Sequence, residues 1–163
     1  MQTVSLKDIC LDKGFYGISA SACKYDPSYP QYIRITDIDD DGRYHPNEKA
    51  SINPKIYPDY KNYYLQENDI ILARTGTTGR NYFYNPNDGN LVFAGFMIKF
   101  SLNPNLVLPK FIKYYCQSNS YWYWIKNNCN GTTRQNLNAN DYANMPIPLL
   151  PFAIQRHIVD LAC

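Results

Sequence analysis

A polar loop between residues 74 and 80 carries the side chains best suited to bind a charged or hydrogen-bonding ligand. It follows a short apolar run, Ile70 to Ala73, and contains two glycines, three threonines and an arginine at each end. Arginine guanidinium groups match the geometry of phosphate or of a guanine edge, and glycines let a partner approach the backbone closely. We therefore predict a buried strand that ends in a nucleic-acid-binding loop. Its candidate contacts are Arg74, Thr75, Thr77, Thr78 and Arg80.

A second loop, from Asn130 to Leu137, repeats the same residue types. Arginine pairs well with guanine, and glutamine or asparagine with adenine, although these side chains also suit helix caps and turns. Two similar loops in one domain support each other as candidates for base contacts. The candidates here are Thr132, Thr133, Arg134 and Gln135. Arg34 and Lys126 are further candidates, for which a structural ion pair is an equal alternative.

The loop at residues 74–80 also fits two other interpretations. Together with the apolar segment Tyr82 to Tyr84, it describes an ordinary β-hairpin turn, which needs no ligand at all. A nucleotide-binding P-loop fits less well, because the Gly-Lys-Ser/Thr ending is absent and the spacing of Gly76 and Gly79 is too short.

Composition limits the class of protein. The 163 residues suffice for one domain with a core, and a net charge of +2 gives no overall basic field, so any nucleic acid must meet a local patch. Five scattered cysteines and two distant histidines predict neither a disulfide framework nor a metal site. With no leader-like start and no membrane-length apolar run, we expect a soluble, cytoplasmic protein that does not bind membranes.

The chain changes from strand-like to helix-like patterns near residue 109. The strands predicted before that point are Gln31–Ile38, Ile70–Ala73, Tyr82–Tyr84 and Leu91–Phe100, the last broken at Gly95. The polar stretch Arg43–Tyr64 is expected to be a surface connection or to carry short edge strands. From Pro109 onward we predict two helices that are divided near residues 118–120, with Trp122 in the core. They are followed by a short capped helix at 138–144, an extended segment at 145–151 and a helix from Phe152.

Four motifs in this order resemble a target recognition domain of type I restriction-modification specificity subunits. They are Tyr32–Ile38, Asn68–Gly76, Gly131–Leu137, and Ile147–Pro151 continuing to Gln155. The resemblance extends from Leu6 to Leu161. It implies an α+β fold, in which an irregular, twisted β portion is followed by C-terminal helices. It also implies a target recognition domain at residues 1–150 and the start of a helical spacer or dimerisation region at 151–163.

The resemblance further implies partners and a role. Such domains read one half of a bipartite site in double-stranded DNA, and they assemble with methyltransferase subunits and in some systems with restriction subunits. The S-adenosylmethionine chemistry belongs to those methyltransferase subunits, so this chain is expected to be non-catalytic and to need no cofactor. The family's long spacer helix is missing after Gln155, and the helix start lacks the usual Pro-Pro and acidic residues. An excised domain is therefore expected, or a chain that relies on a partner.

Three alternatives remain open at this point. A half-size specificity subunit that forms a homodimer would read a palindromic bipartite site. An enzyme acting on nucleic acid is disfavoured by the lack of a histidine-centred constellation or of carboxylates paired beside a lysine. The sixteen tyrosines also fit a protein or carbohydrate interaction module.

Overall fold

The computed structural model describes residues 2–129 and 136–162, and its element order agrees with the predicted α+β class. The strands are β1 Thr3–Ser5, β2 Phe15–Tyr16, β3 Cys23–Lys24, β4 Gln31–Ile33, β5 Ala50–Ser51, β6 Asp69–Ala73, β7 Asn81–Phe83, β8 Leu91–Phe93, β9 Met97–Ser101 and β10 Pro146–Pro148. The helices are α1 Pro109–Tyr115, α2 Asn119–Asn128, α3 Ala139–Ala143 and α4 Phe152–Ala162.

Strand β6 lies in the interior of an antiparallel sheet with the order β2-β9-β6-β7 and separates two hydrophobic cores. Alternate side chains of a strand point to opposite faces. Ile70 and Leu72 accordingly pack with the helices, whereas Ile71 and Ala73 pack with the second sheet. All five residues of β6 are buried, which fixes the strand firmly from both sides.

Strands β6 and β7 form the predicted hairpin, in which Ile70 pairs with Phe83 and Leu72 with Asn81. The loop at residues 74–80 connects them. The strand prediction for Ile70–Ala73 and the hairpin interpretation of the loop are both confirmed by this pairing. A hairpin turn is compatible with a binding role for the loop, which stays a prediction.

A second sheet, with the order β3-β5-β4-β8, corrects the prediction for residues 43–64. We expected a polar surface connection or edge strands, but β5 pairs with β3 on one side and β4 on the other. Ala50, Ser51 and Ile52 are buried. A short apolar patch inside a polar stretch was enough to supply an interior strand.

The strand predicted at Gln31–Ile38 is only half right. It ends at Ile33, because the Asp37 carboxylate accepts a hydrogen bond from the Arg34 backbone N–H at 2.9 Å and turns residues 35–37 into a 3₁₀ turn.

The predicted break at Gly95 is confirmed. A Cβ there would lie 3.2 Å from the Ile18 carbonyl oxygen, so the two backbones approach closely.

The helices largely follow the prediction, with one correction at the aromatic run. Ser118 caps α2 and divides it from α1 as expected, because its hydroxyl accepts from the Tyr121 N–H at 3.3 Å. Tyr121 is fully buried, whereas Trp122, which we placed in the core, is 38% exposed. The predicted short helix and extended segment appear as α3 and β10. No helix in the described ranges is long and apolar enough to cross a membrane.

Candidate nucleic-acid interface

The β6–β7 hairpin closes the base of the 74–80 loop and leaves its tip open. The Ala73 N–H donates to the Arg80 carbonyl at 2.8 Å, and the Gly79 N–H donates to the Ala73 carbonyl at 3.2 Å. At the tip, Gly76 has a φ of 72°, and a Cβ added there would meet no atom of residues 2–129 or 136–162 within 4 Å. None of these residues blocks the approach of a partner to the Gly76 backbone.

Arg74 is held in place from three directions. Its backbone N–H donates to the Phe96 carbonyl at 2.9 Å, and its carbonyl accepts from the Leu137 N–H at 2.9 Å. The guanidinium carbon lies 5.0 Å from the centre of the Tyr16 ring, a cation–π distance. The Tyr16 hydroxyl in turn accepts from the Ala139 N–H at 2.9 Å, which fixes the ring.

The Arg74 side chain has no acidic partner in the described part of the chain, and its Nε is buried there without a hydrogen bond. It lines a cleft of about 330 Å³ together with Tyr16, Gly95 and Phe96. Phe96 is 61% exposed at the rim. A pre-positioned guanidinium over the Tyr16 ring, in a cleft that the exposed Phe96 also lines, suits a planar ligand that carries hydrogen-bond acceptors.

Arg80, at the other end of the loop, is engaged in internal contacts. Its Nη1 donates to the Ile38 carbonyl at 2.9 Å, and its Nη2 pairs with the Asp40 carboxylate at 2.6 Å. Asp40 is almost fully exposed, so the ion pair adds little stability. The contacts nevertheless attach the loop to the turn at residues 38–40.

The three threonines differ in access. Thr77 is exposed, Thr75 is half-buried and Thr78 is buried. Thr77 and Thr78 line a second cleft of about 400 Å³ with Arg80, Asp40 and Trp122. Asp40 makes this cleft less attractive to phosphate than the cleft around Arg74.

Two buried tyrosines support the ends of the loop from the helical side. The Tyr121 hydroxyl donates to the Gly79 carbonyl, and the Tyr142 hydroxyl donates to the Ala73 carbonyl, both at 2.6 Å. Burial raises the pKa of both phenols, so they stay protonated and remain donors. Neither they nor Tyr16 and Phe96 were predicted as site residues. The only sequence signal was the excess of tyrosine.

The predicted second loop lies largely outside the described residues. This applies to all four of its candidate contacts, Thr132, Thr133, Arg134 and Gln135. The structure does describe both flanks. On one side α2 places Ile125 within 3.0 Å of a Cβ built at Gly79, and on the other side the Leu137 N–H bonds to the Arg74 carbonyl. Both flanks of the second loop thus contact the first loop.

The remaining two candidates lie in different settings. Arg34 forms a two-pronged ion pair, with Nε and Nη2 each 3.0 Å from an oxygen of the buried Asp37 carboxylate. Nη2 also donates to the Glu48 carbonyl at 3.2 Å. Lys126 is exposed in the last turn of α2, next to Ile125 in the helix that packs against Gly79.

The contacts of Arg34 predict a structural effect on mutation. We expect Arg34→Ala to lower the free energy of unfolding by about 1–3 kcal/mol, because the buried Asp37 carboxylate loses its partner. Arg43→Ala removes an exposed arginine and is the matched control, with an expected change of about 0.5 kcal/mol or less. Urea denaturation measures both. Equal stability of the two variants would show that the Arg34 pair contributes nothing.

Within the described residues, no group of three or more histidine, cysteine or acidic side chains is arranged to hold a metal ion. The groups that surround the loop are instead hydrogen-bond donors, exposed aromatic rings and the Arg74 guanidinium, which has no acidic partner among the described residues. This arrangement favours binding of an acceptor-rich ligand.

Comparisons with known proteins place the chain in a family. No curated protein matches it. Three solved structures share its fold. A chain from a study of complex assembly and conformational transition of the type I R-M system has a TM-score of 0.70 and 18% identity, and the match covers 99% of this chain and 41% of that one. The HsdS subunit from Thermoanaerobacter tengcongensis has a TM-score of 0.69 and 22% identity (coverage 98% and 40%), and the S subunit of a type I restriction-modification system from M. genitalium has a TM-score of 0.66 and 16% identity (coverage 98% and 37%). The chain spans about two fifths of the length of these proteins. The family model for the type I restriction modification DNA specificity domain matches residues 1–161. The chain belongs to this family of DNA specificity domains.

Proposed function

We propose that this chain binds double-stranded DNA and recognises one half of a bipartite target sequence. The observation that carries the proposal is the meeting of two loop regions at the end of β6. The Arg74 backbone is bonded to Leu137, the last residue of the second loop, and Gly79 packs against α2, which precedes that loop. Family membership supports the same function.

In this proposal the contacts divide into two kinds. Arg74, the loop cation without an acidic partner in the described ranges, would read a base edge, and guanine is its best match. Thr77 and the open backbone at Gly76 would contact phosphates or bases beside it. Further contacts are proposed from Thr75, Thr78 and Lys126, and from Thr132, Thr133, Arg134 and Gln135 in the second loop. Arg34 and Arg80 would mainly keep the framework in shape, since their guanidinium groups are already paired.

We also propose that the chain is non-catalytic and acts through partners. Residues 1–150 would form the recognition domain, and α4 would begin a helical spacer or dimerisation region at residues 151–163. A methyltransferase subunit would supply the chemistry, with a restriction subunit added in some assemblies. As a homodimer the chain would read two inverted half-sites.

Selection from randomised duplex DNA at low salt tests the function, with the chain alone and with a methyltransferase subunit added. We expect an enriched motif of a few base pairs. The affinity for the selected duplex should fall as salt rises, because each neutralised phosphate releases counterions and contributes about −0.9 to the slope of log K against log salt. If no motif is enriched in either condition, or if affinity does not respond to salt, the proposal is wrong. Two inverted copies of the motif would indicate the homodimer.

A further inference from the structure

A cleft at the opposite end of β6 gathers cations that play no part in the proposed DNA contacts. It has a volume of about 560 Å³ and is lined by Lys110 and Lys113 of α1 and Arg156 of α4. Glu67 contributes a single carboxylate. In residues 2–129 and 136–162, none of the three cations forms an ion pair. Three like charges around one concave surface repel each other unless a ligand neutralises them.

The fold fixes the arrangement of these cations. Gln155 is fully buried, its Oε1 accepts from the Leu108 N–H at 2.8 Å, and its Nε2 donates to the Leu150 carbonyl at 2.7 Å. Leu108 is the residue just before α1, so this amide locks the start of α4 onto the start of α1. Arg156 follows Gln155 directly. Its position relative to Lys110 and Lys113 is therefore set by a buried hydrogen-bonded side chain.

The walls of the cleft between the cations combine apolar side chains with the amides of Asn68, Asn85 and Asn87, and the apolar part is substantial. The apolar residues include Phe83, Pro86, Leu108, Pro109 and Val159. The volume lies in the range of about 300–1,000 Å³ that is typical of ligand-binding clefts. A complementary ligand therefore combines negative charge with apolar side chains.

We propose that this cleft docks an acidic segment of a protein partner. Its carboxylates pair with Lys110, Lys113 and Arg156, and its apolar side chains pack on the accessible surface of Leu108 and Pro86. Within the described residues no acidic side chain competes for these cations, although the Lys113 ammonium also lies 5.4 Å from the centre of the Tyr114 ring. The apolar part of the walls reduces the access of water to the ion pairs.

A protein segment fits the cleft better than a DNA backbone does. Asn68, which lines the cleft, and Arg74, in the recognition loop, lie at opposite ends of β6, roughly 20 Å apart along an extended chain. A phosphate backbone carries no side chains to fill the apolar walls, and the Glu67 carboxylate repels it. A peptide segment has neither disadvantage. Its apolar side chains fill the apolar part of the cleft, and one lysine or serine in it accommodates Glu67.

Titration of the ¹⁵N-labelled chain with a short peptide of interspersed glutamate, leucine and serine tests the proposal. Amide shifts followed by two-dimensional NMR should cluster at residues 108–113 and 155–159. The same peptide with glutamine in place of glutamate is the control and should bind about tenfold more weakly. The charge-reversed variant K110E/K113E/R156E should lose binding to a similar extent.

Further variants separate the proposal from a folding defect and from the DNA site. K110Q/K113Q/R156Q removes the charges without introducing repulsion, and its spectrum must retain the dispersion of the unmodified chain. Arg74→Ala should leave peptide binding unchanged, so this variant tests the DNA-binding proposal separately from the docking proposal. Equal binding of both peptides, or shifts centred on residues 74–80, would overturn it. Displacement of the peptide by duplex DNA with the same shifts would also overturn it and assign the cleft to phosphate.

Discussion

Gly79→Ala is expected to destabilise the fold by about 2–4 kcal/mol, the largest effect on stability that we predict from a single methyl group. Two causes add. Gly79 has a φ of 93°, a region in which an L-residue is strained. Its new Cβ would also lie 2.7 Å from Cζ3 of Trp122 and 3.0 Å from two side-chain carbons of Ile125. The half-exposed Trp122 ring can turn aside, but Ile125 is buried, so relief of the clash requires side chains of α2 to repack.

Gly76→Ala is the matched control for that variant. It adds the same methyl group in the same loop at a similar positive φ of 72°, but no atom of the described residues lies within 4 Å of it. The expected cost is only the backbone strain, about 1–2 kcal/mol, reduced by the lower entropy of the unfolded chain. Urea denaturation with equal m-values gives the comparison. Equal losses in the two variants would mean that α2 does not pack tightly on the loop.

Much of the fold could be predicted because local patterns agreed with the tertiary structure. The apolar run at Ile70–Ala73 became β6, and Ser118 and Asn138 cap helices where the sequence indicated. Where the prediction was wrong, one contact overrode the local pattern. Asp37 turned back onto Arg34 and ended a strand whose alternation continued to Ile38.

The aromatic run in α2 shows the limit of periodicity. Helical spacing cannot decide whether Tyr121 or Trp122 faces the core. The two side chains lie about 100° apart around the helix axis, and an apolar face of that width can include either of them. The deciding contact is the Gly79 carbonyl, which the Tyr121 hydroxyl reaches and an indole N–H in the neighbouring position does not. Ile52 is a similar case, since its burial depends on two strands distant in sequence from it.

The sequence indicated where the first candidate loop lies but not which residues support it. The composition of residues 74–80 indicated a binding loop, and the structure adds that Arg80 is paired internally while Arg74 is not paired within the described residues. Tyr16 and Phe96 come from strands and turns far away in sequence. Only the pairing of β2, β9 and β6 in one sheet brings them next to Arg74, so no local pattern could have indicated them.

Arg74→Ala is expected to weaken binding of the selected DNA half-site by about 1–3 kcal/mol and to relax preference at one base pair. The guanidinium is positioned over Tyr16, and the Arg74 backbone is fixed by Phe96 and Leu137, so little conformational entropy is lost when it meets a base. Arg74→Lys should recover charge but not the forked geometry, and should therefore restore general affinity better than base preference.

Arg156→Ala is the matched control, because it removes an exposed arginine and one positive charge at the other end of β6. The three protein variants, Arg74→Ala, Arg74→Lys and Arg156→Ala, are compared at one fixed salt concentration. Binding curves are measured for the selected duplex and for its single-base variants. If Arg74 reads a base, only its variants change the ratio of affinities between the selected sequence and one of those single-base variants. If Arg74→Ala and Arg156→Ala weaken binding equally across all sequences, Arg74 acts through its charge alone. Base recognition must then rest on other residues of the two loops.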